Sequence, residues 1–457
     1  MSLFKELGLS GAMLSNLQQL GFHTPTAIQS LALPDTLAGR DVIAMAQTGS
    51  GKTAAFGIPL VERLKPRLFA PQGLVLCPTR ELADQVTRSL RELARAQANI
   101  KVLTLCGGVP IGPQIGSLSH GAHLIAGTPG RIDDHLRKGT LNLDHCSTVV
   151  LDEADRMLDM GFQEVVESIL EHLPARHQTL LFSATWPAGI RTLSKRFQKE
   201  PVDIRAEAEE AGPDIEEHFY EIQPGQELAA LKGLLSRYQP ESCIVFCGTR
   251  KQCDEIAESL NEEGFAALAL HGDLEQRDRD SVLVRFANRS CPVLVATDVA
   301  ARGLDIRALE LVINAEPARD PEVHTHRVGR TGRAGEKGRA VTLCTPARAH
   351  KINRLEQARA MKAEWGDTAS LLAEQLRPAA PAFRTLCIAG GRKDKVRAGD
   401  ILGALTGDAG IPGTAVGKID LADHQAFVAV STEYADKALA QLAHGKIKGR
   451  RMPVRWA

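Results

Sequence analysis

The run Ala46-Gln47-Thr48-Gly49-Ser50-Gly51-Lys52-Thr53 narrows the folds open to this chain more than any other feature. It stands between a short apolar run at 42–45 and an amphipathic stretch that opens at Lys52. A strand, a glycine-rich loop and a helix in that order belong to an α/β sheet that presents a helix N-terminus to phosphate. The glycines let backbone amides turn inward, and the first helical turn adds positive potential. Lys52 is placed to reach the β- and γ-phosphates, and Thr53 to ligate Mg²⁺. Ala46 stands where the generic pattern has its first glycine, so the pattern is one residue short.

The surrounding sequence repeats that order. Apolar runs at 42–45, 74–77, 102–105, 124–126, 148–151 and 179–182 alternate with helical patterns. Between 81 and 95, Leu82, Val86, Leu90 and Leu93 recur at three- and four-residue steps. The alternation predicts a parallel sheet covered on both sides. An acidic segment at 207–213 reads as a linker, after which strands are expected at 242–247, 267–270, 293–296, 311–314 and 340–344. Pro378 and Pro381 mark a second linker within 367–383. The remainder suits a small β-α-β-β-α-β domain with strands near 385–389, 416–419, 427–430 and 452–455. The expected domains are therefore 1–206, 214–366 and 384–457.

Composition excludes several classes. With 24% charged and 44% apolar residues the chain is an ordinary globular one. No run approaches the ~20 apolar residues that span a bilayer, and the start, Met-Ser-Leu-Phe-Lys-Glu, lacks a signal-peptide core. The nine scattered cysteines form no paired CxxC spacing, which fits buried thiols in a reducing cytosol. A net charge of zero hides an asymmetry: residues 384–457 carry 12 Lys+Arg against 7 Asp+Glu. A basic tail on an acidic body points to a polyanionic partner.

Two further constellations complete a hydrolytic site. The strand 148–151 runs into Asp152-Glu153-Ala154-Asp155, at the carboxyl edge where α/β sheets place ligand chemistry. Asp152 can hold Mg²⁺, directly or through water, and Glu153 can orient and deprotonate a water. In the second half, His326-Arg327-Val328-Gly329-Arg330-Thr331-Gly332-Arg333 offers Arg330 and Arg333 as arginine fingers for a γ-phosphate.

With these residues in order, the chain resembles a DEAD-box RNA helicase over about residues 1–365. The resemblance implies two tandem RecA-like α/β domains, ATP and Mg²⁺ as cofactors, and RNA as partner. Gly21 to Gln29 looks like the Q motif, with Phe4 upstream. By resemblance Gln29 reads the adenine edge and Phe4 stacks nearby. Pro78 to Ala83, with Arg80, resembles motif Ia; Gly107-Gly108 the double-glycine element; Thr128 to Arg131 motif Ib. Ser183-Ala184-Thr185 is similar to motif III, which couples ATP and RNA. Arg279 falls in QxxR, Thr297 in motif V, and Gly303 and Asp305 in its extension, with Asp305 expected at the ribose. Contacts from Arg80, Gly108, Thr128, Arg131, Arg279 and Thr297 would go to sugar and phosphate, so the core would read no base sequence. The implied mechanism is local melting, driven by closure of the two RecA-like domains on ATP and RNA.

Within the family, 74–84, 103–108, 180–186, 271–287, 293–305, 399–408 and 445–449 look like a bacterial subfamily that assembles the large ribosomal subunit. In that subfamily an RRM-like tail binds a hairpin in the peptidyl-transferase region of the ribosomal RNA. Here Phe427 fits one aromatic position of such a tail, but Gln425, Val430 and Cys387 replace the others. Few stacked bases are expected, and Phe427 is as well suited to the core as to stacking. Lys393, Lys395 and Arg397 near the first loop, and Lys446, Lys448, Arg450 and Arg451 near the end, would bind phosphate. An ATP-gated clamp or a general RNA chaperone without a ribosomal target is the competing reading; intact Glu153, Arg330 and Arg333 speak against the clamp.

Overall fold

A computed structural model describes residues 4–46, 50–205, 215–301, 309–332, 337–408 and 410–457. The expected linker at 207–213 lies outside them. The chain divides near residue 212 into two compact units.

The first unit is built on seven parallel strands: β1 (Val42–Met45), β2 (Gly73–Leu76), β3 (Val102–Leu105), β4 (Leu124–Gly127), β5 (Thr148–Leu151), β6 (Gln178–Ser183) and β7 (Val202–Arg205). Their order is β3-β4-β2-β5-β6-β1-β7. Central strands such as β5 and β6 are buried along their whole length, because helices cover both faces. The helix Arg80–Leu93 shows how: Thr79 Oγ1 accepts from Leu82 N at 3.3 Å to cap it, and Leu82, Val86, Leu90 and Leu93 face the core.

The second unit holds two sheets. Six parallel strands, β8 (Ile215–Glu221), β9 (Cys243–Cys247), β10 (Ala267–Leu270), β11 (Val293–Thr297), β12 (Leu311–Asn314) and β13 (Gly338–Cys344), run in the order β10-β11-β9-β12-β13-β8. Four antiparallel strands follow: β14 (Phe383–Ile388), β15 (Val416–Leu421), β16 (Ala426–Ser431) and β17 (Val454–Trp456), in the order β15-β16-β14-β17. The strands β7 and β8 were not among those expected from sequence. Part of the 367–383 segment is packed. Asp367 caps the helix Thr368–Leu372, Leu371 is buried in the core of the six-stranded domain, and Glu374 pairs with Arg237 at 3.0 Å. All nine cysteines are free and buried.

Candidate nucleotide and RNA sites

The ends of β1, β6 and β5 lie side by side at one edge of the first sheet, and the phosphate chemistry collects there. Ala46 N donates to Ser183 O at 3.0 Å, which fixes the start of the loop to the end of β6. Lys52, buried at the head of the helix Lys52–Glu62, donates from Nζ to Ala46 O at 3.1 Å. Its ammonium is thus held at the mouth of the loop, on a contact that a phosphate oxygen can replace. Gly51 has φ +93°, and a Cβ there would collide with the Gln29 amide. Gln29 uses that close approach. Its Nε2 donates to Gly51 O at 3.0 Å and its Oε1 accepts from Thr26 N at 3.0 Å. Thr26 Oγ1 donates to Ser50 O at 2.8 Å. Each amide atom of Gln29 keeps one further hydrogen-bonding valence for a base. Phe4 is buried in the first unit's core. Gln47, Thr48 and Gly49 lie outside the described residues.

Across from Lys52 stand the acids. Asp152 is 3% exposed, and its Oδ1 has no hydrogen-bond partner among the described residues. Burial pushes its carboxyl up to about 6, while Lys52 draws it back. A desolvated carboxylate oxygen beside a lysine is a group still short of positive charge, which fits a divalent cation shared with Thr53. Glu153 is 4% exposed and holds φ +51°, an uncommon conformation for a residue with a side chain. Arg156 Nη1 donates to its Oε2 at 2.8 Å, both side chains being buried. The position that sequence reasoning passed over is Asp155. Its Oδ2 accepts from Thr185 N and Thr185 Oγ1, both at 2.9 Å, and from Ala184 N at 3.2 Å. Ser183 Oγ donates to Thr185 O at 2.7 Å. The turn at Ala184 and Thr185 therefore hangs on one buried carboxylate. The fourth letter of the DEAD run was the available signal.

The neighbouring strand ends, β2, β4 and β3, carry the residues expected to meet RNA. Arg80 opens the helix after β2 and lies against Gly108, where a Cβ would strike the guanidinium. Its Nε and Nη1 are buried without partners among the described residues. Arg131, after Thr128 and β4, donates from Nη1 to Gln114 Oε1 at 3.0 Å and from Nη2 to Val109 O at 2.9 Å. Arg131 thus braces the glycine loop with two of its nitrogens and, like Arg80, keeps a buried donor, its Nε, without a hydrogen-bond partner among the described residues.

In the second unit Arg279 donates from Nη2 to Ala300 O at 2.7 Å, and Thr297 Oγ1 accepts from Ala300 N at 3.4 Å. These two motif residues therefore meet at one turn. Arg330 is buried. Arg327, not singled out from sequence, is the hub of this domain. It grips Asp298 with two bonds of 2.6 and 2.9 Å, donates to Asn314 Oδ1 and Glu316 O at 3.1 Å, and lies over the Phe246 ring. Gly303, Asp305 and Arg333 lie outside the described residues.

On the tail, both basic segments are exposed and meet. Lys448 Nζ donates to Lys395 O at 2.7 Å, and both residues have positive φ, +53° and +62°. Lys393 and Arg397 flank the first turn; Lys446, Arg450 and Arg451 flank the second. Phe427 is buried.

Three family models match along the chain. Residues 26–193 match the DEAD/DEAH box helicase model, 226–335 the helicase conserved C-terminal domain, and 385–455 the DbpA RNA binding domain. The ATP-dependent RNA helicase DbpA of Escherichia coli is 53% identical over 453 residues, covering 98% of this chain and 97% of that one. The DEAD-box ATP-dependent RNA helicase CshA of Geobacillus kaustophilus is 47% identical over 80% of this chain and 78% of its own. Among solved structures, Saccharomyces cerevisiae Dbp5 bound to RNA and ADP BeF3 superposes with a TM-score of 0.73 at 29% identity, over 79% of this chain and 95% of that one. No helix among the described residues is long and apolar enough to cross a membrane. This chain is an ATP-dependent RNA helicase and belongs to the DbpA branch of the DEAD-box family.

Proposed function

We propose that the protein melts short RNA duplexes locally in the bacterial cytoplasm, next to a hairpin of large-subunit ribosomal RNA held by its tail, during assembly of that subunit. The observation that carries the anchoring part is the meeting of Lys395 and Lys448, which makes one exposed basic surface from two segments. Phosphate contacts of this kind set affinity and register rather than base identity. In the core, Lys52 exchanges its bond to Ala46 O for phosphate oxygens. Thr53 and Asp152 would hold Mg²⁺, which would supply positive charge to the transferred group. Glu153 orients and deprotonates the attacking water, and Arg330 and Arg333 supply positive charge to the γ-phosphate. Asp155 makes the position of Thr185 depend on the acidic run, so nucleotide state reaches the RNA-facing residues of the same sheet edge.

The test is ATPase rate with no RNA, with a generic single strand, and with a ribosomal fragment carrying the peptidyl-transferase hairpin. The expected result is half-stimulation by the hairpin fragment at a concentration about tenfold lower than by the generic strand. A variant carrying Lys393→Glu, Lys395→Glu and Lys448→Glu should lose that advantage. Equal stimulation by every RNA would remove the ribosomal target and leave the helicase.

A further inference from the structure

The glycine loop of the first unit leaves the sheet at its least supported place. β3 is an edge strand and pairs with β4 alone. Past Leu105 the chain runs through Cys106, Gly107 and Gly108 to the short helix Gly112–Leu118. Gly108 holds φ +72°, and residues 108–110 are exposed. On the inner side the loop's first residues are tied to the neighbouring strand end, since Thr128 N donates to Leu105 O at 3.1 Å. On the outer side the sheet offers no further strand among the described residues. An exposed loop with a left-handed glycine and support on one side needs another anchor to keep one shape.

One side chain supplies it. Gln114, on that short helix, donates from Nε2 to Cys106 O at 3.0 Å. Its Oε1 accepts from Arg131 Nη1 and lies against His135 Nε2, each at 3.0 Å. Arg131 and His135 both belong to the helix Pro129–Arg137, which opens directly after Thr128. A single amide thus ties the glycine loop to the helix behind Thr128. The amide fits only one way round: turned over, its NH₂ would face the Arg131 donor and its oxygen the Cys106 carbonyl. His135 therefore carries its proton on Nε2, and its Nδ1, 2.8 Å from Thr140 Oγ1, is the acceptor. Burial, and then Arg131, lower the pKa of this imidazole, which suits the neutral form that the pattern requires. Three of the four hydrogen-bonding positions of the Gln114 amide are then in use.

We propose that Gln114 is a positioning residue for RNA on the first unit. Acting through Cys106 O and Arg131, it sets the spacing between the glycine loop and the turn at Thr128. Both segments are thereby held ready for the backbone of one strand, and the ordering is complete before RNA arrives. The positioning of RNA rests on the reading of Gly108 and Thr128 as RNA-facing; the clamp on the loop does not.

Three variants of the full chain test this. Gln114→Met keeps the length of the side chain and removes all its bonds. Gln114→Glu keeps acceptors for Arg131 and His135 but sets a carboxylate against Cys106 O. Thr128→Asp tests the underlying reading, because aspartate is a favoured N-cap for the helix Pro129–Arg137 while its charge repels phosphate. The readouts are amide hydrogen exchange without RNA, and ATPase rate against the concentration of a single-stranded oligouridine. In both Gln114 variants exchange across 106–111 should quicken by about fivefold or more. The half-stimulating RNA concentration should rise about tenfold, while the rate at saturating RNA falls less than about threefold. The two variants should behave alike, because each loses the bond to Cys106 O. Unchanged exchange in either variant would overturn the clamp. A fall in the saturated rate with the RNA concentration unmoved would overturn the positioning role, since general damage to the domain acts that way. An undiminished RNA response in Thr128→Asp would overturn the RNA-facing reading and the positioning role with it, and the exchange measurement would still decide the clamp.

Discussion

At the nucleotide edge of the first sheet, Asp152, Glu153 and Asp155 are all buried, and Glu153 and Asp155 are bonded to named partners. On the tail, Lys393, Lys395, Lys448 and their neighbours stand in solvent, and their ion pairs, such as Lys393 with Asp423 at 3.3 Å, join exposed side chains. Both regions are proposed to meet phosphate, yet the energetics differ. A buried charge must be paired, so each member of the nucleotide site depends on its neighbours. An exposed charge contributes little alone and adds to others through the shared field. The nucleotide edge should therefore fail as a unit, and the tail surface should fail by degrees.

Glu153→Gln tests the first half of that contrast most severely. Loss of the proposed general base should lower kcat by about 10²- to 10⁴-fold while ATP still binds. Arg156 keeps an acceptor in the glutamine carbonyl but loses the opposing charge, so the melting temperature should fall as well. Steady-state ATPase with saturating RNA, alongside a thermal melt, reads both. A loss below tenfold would mean that the buried site tolerates piecemeal damage as the tail is expected to.

Asp152 sharpens the comparison through pH. Its carboxyl titrates near 6 in the folded state because burial disfavours the charge, above the ordinary value of 3.8. The folded state therefore holds this proton more tightly than the unfolded chain does. Its contribution to stability is fully present below about pH 4 and is lost as pH rises through 6. Asp152→Asn should remove that loss. Chemical denaturation without nucleotide should show the variant more stable at pH 7.5 by on the order of 3 kcal/mol, with most of the gain gone at pH 4. The same substitution should weaken ATPase, since the orphaned Oδ1 is the atom suited to the cation. An unchanged pH slope would mean that Asp152 is not charged at a cost.

What was legible in the sequence follows the same division. Interior strands covered by helices on both faces, such as β1, β5 and β12, could be read to the residue, because a buried parallel strand is an unbroken apolar run. The charged edge strands β7 and β8 could not, unlike the apolar edge strands β3 and β10 at the opposite ends of the same sheets. Val202-Asp203-Ile204-Arg205 and Ile215 to Glu221 are half-solvated and mix charge with apolar residues, which is how edges avoid unwanted pairing. Motif spacing located Lys52, Asp152 and Glu153, whereas Asp155 and Arg327 act through bonds to residues 30 and 29 positions away that only the fold brings near. The covered face of the tail was illegible for the same reason. Phe427 and Cys387 look like a degraded stacking platform until Asn288, 97 residues before Thr385, is seen bonded to it.

The smallest expected effect is at Lys448, where two physical terms can be separated. The residue sits at φ +53°, a region in which a side chain costs about 1 kcal/mol relative to glycine, and its ammonium caps Lys395 O. Lys448→Ala removes the charge and keeps the strained backbone; Lys448→Gly removes both. If the exposed surface works by summed charge, both variants should bind the hairpin fragment two- to fourfold more weakly, and the slope of log affinity against log salt should drop by about 0.7–0.9. Lys448→Gly should be the more stable of the two. If Lys448→Ala instead loses binding by orders of magnitude while Lys448→Gly does not, the turn holding Lys395 must be as interdependent as the nucleotide edge. The two phosphate surfaces would then share one design, with the difference in burial no guide to how each fails.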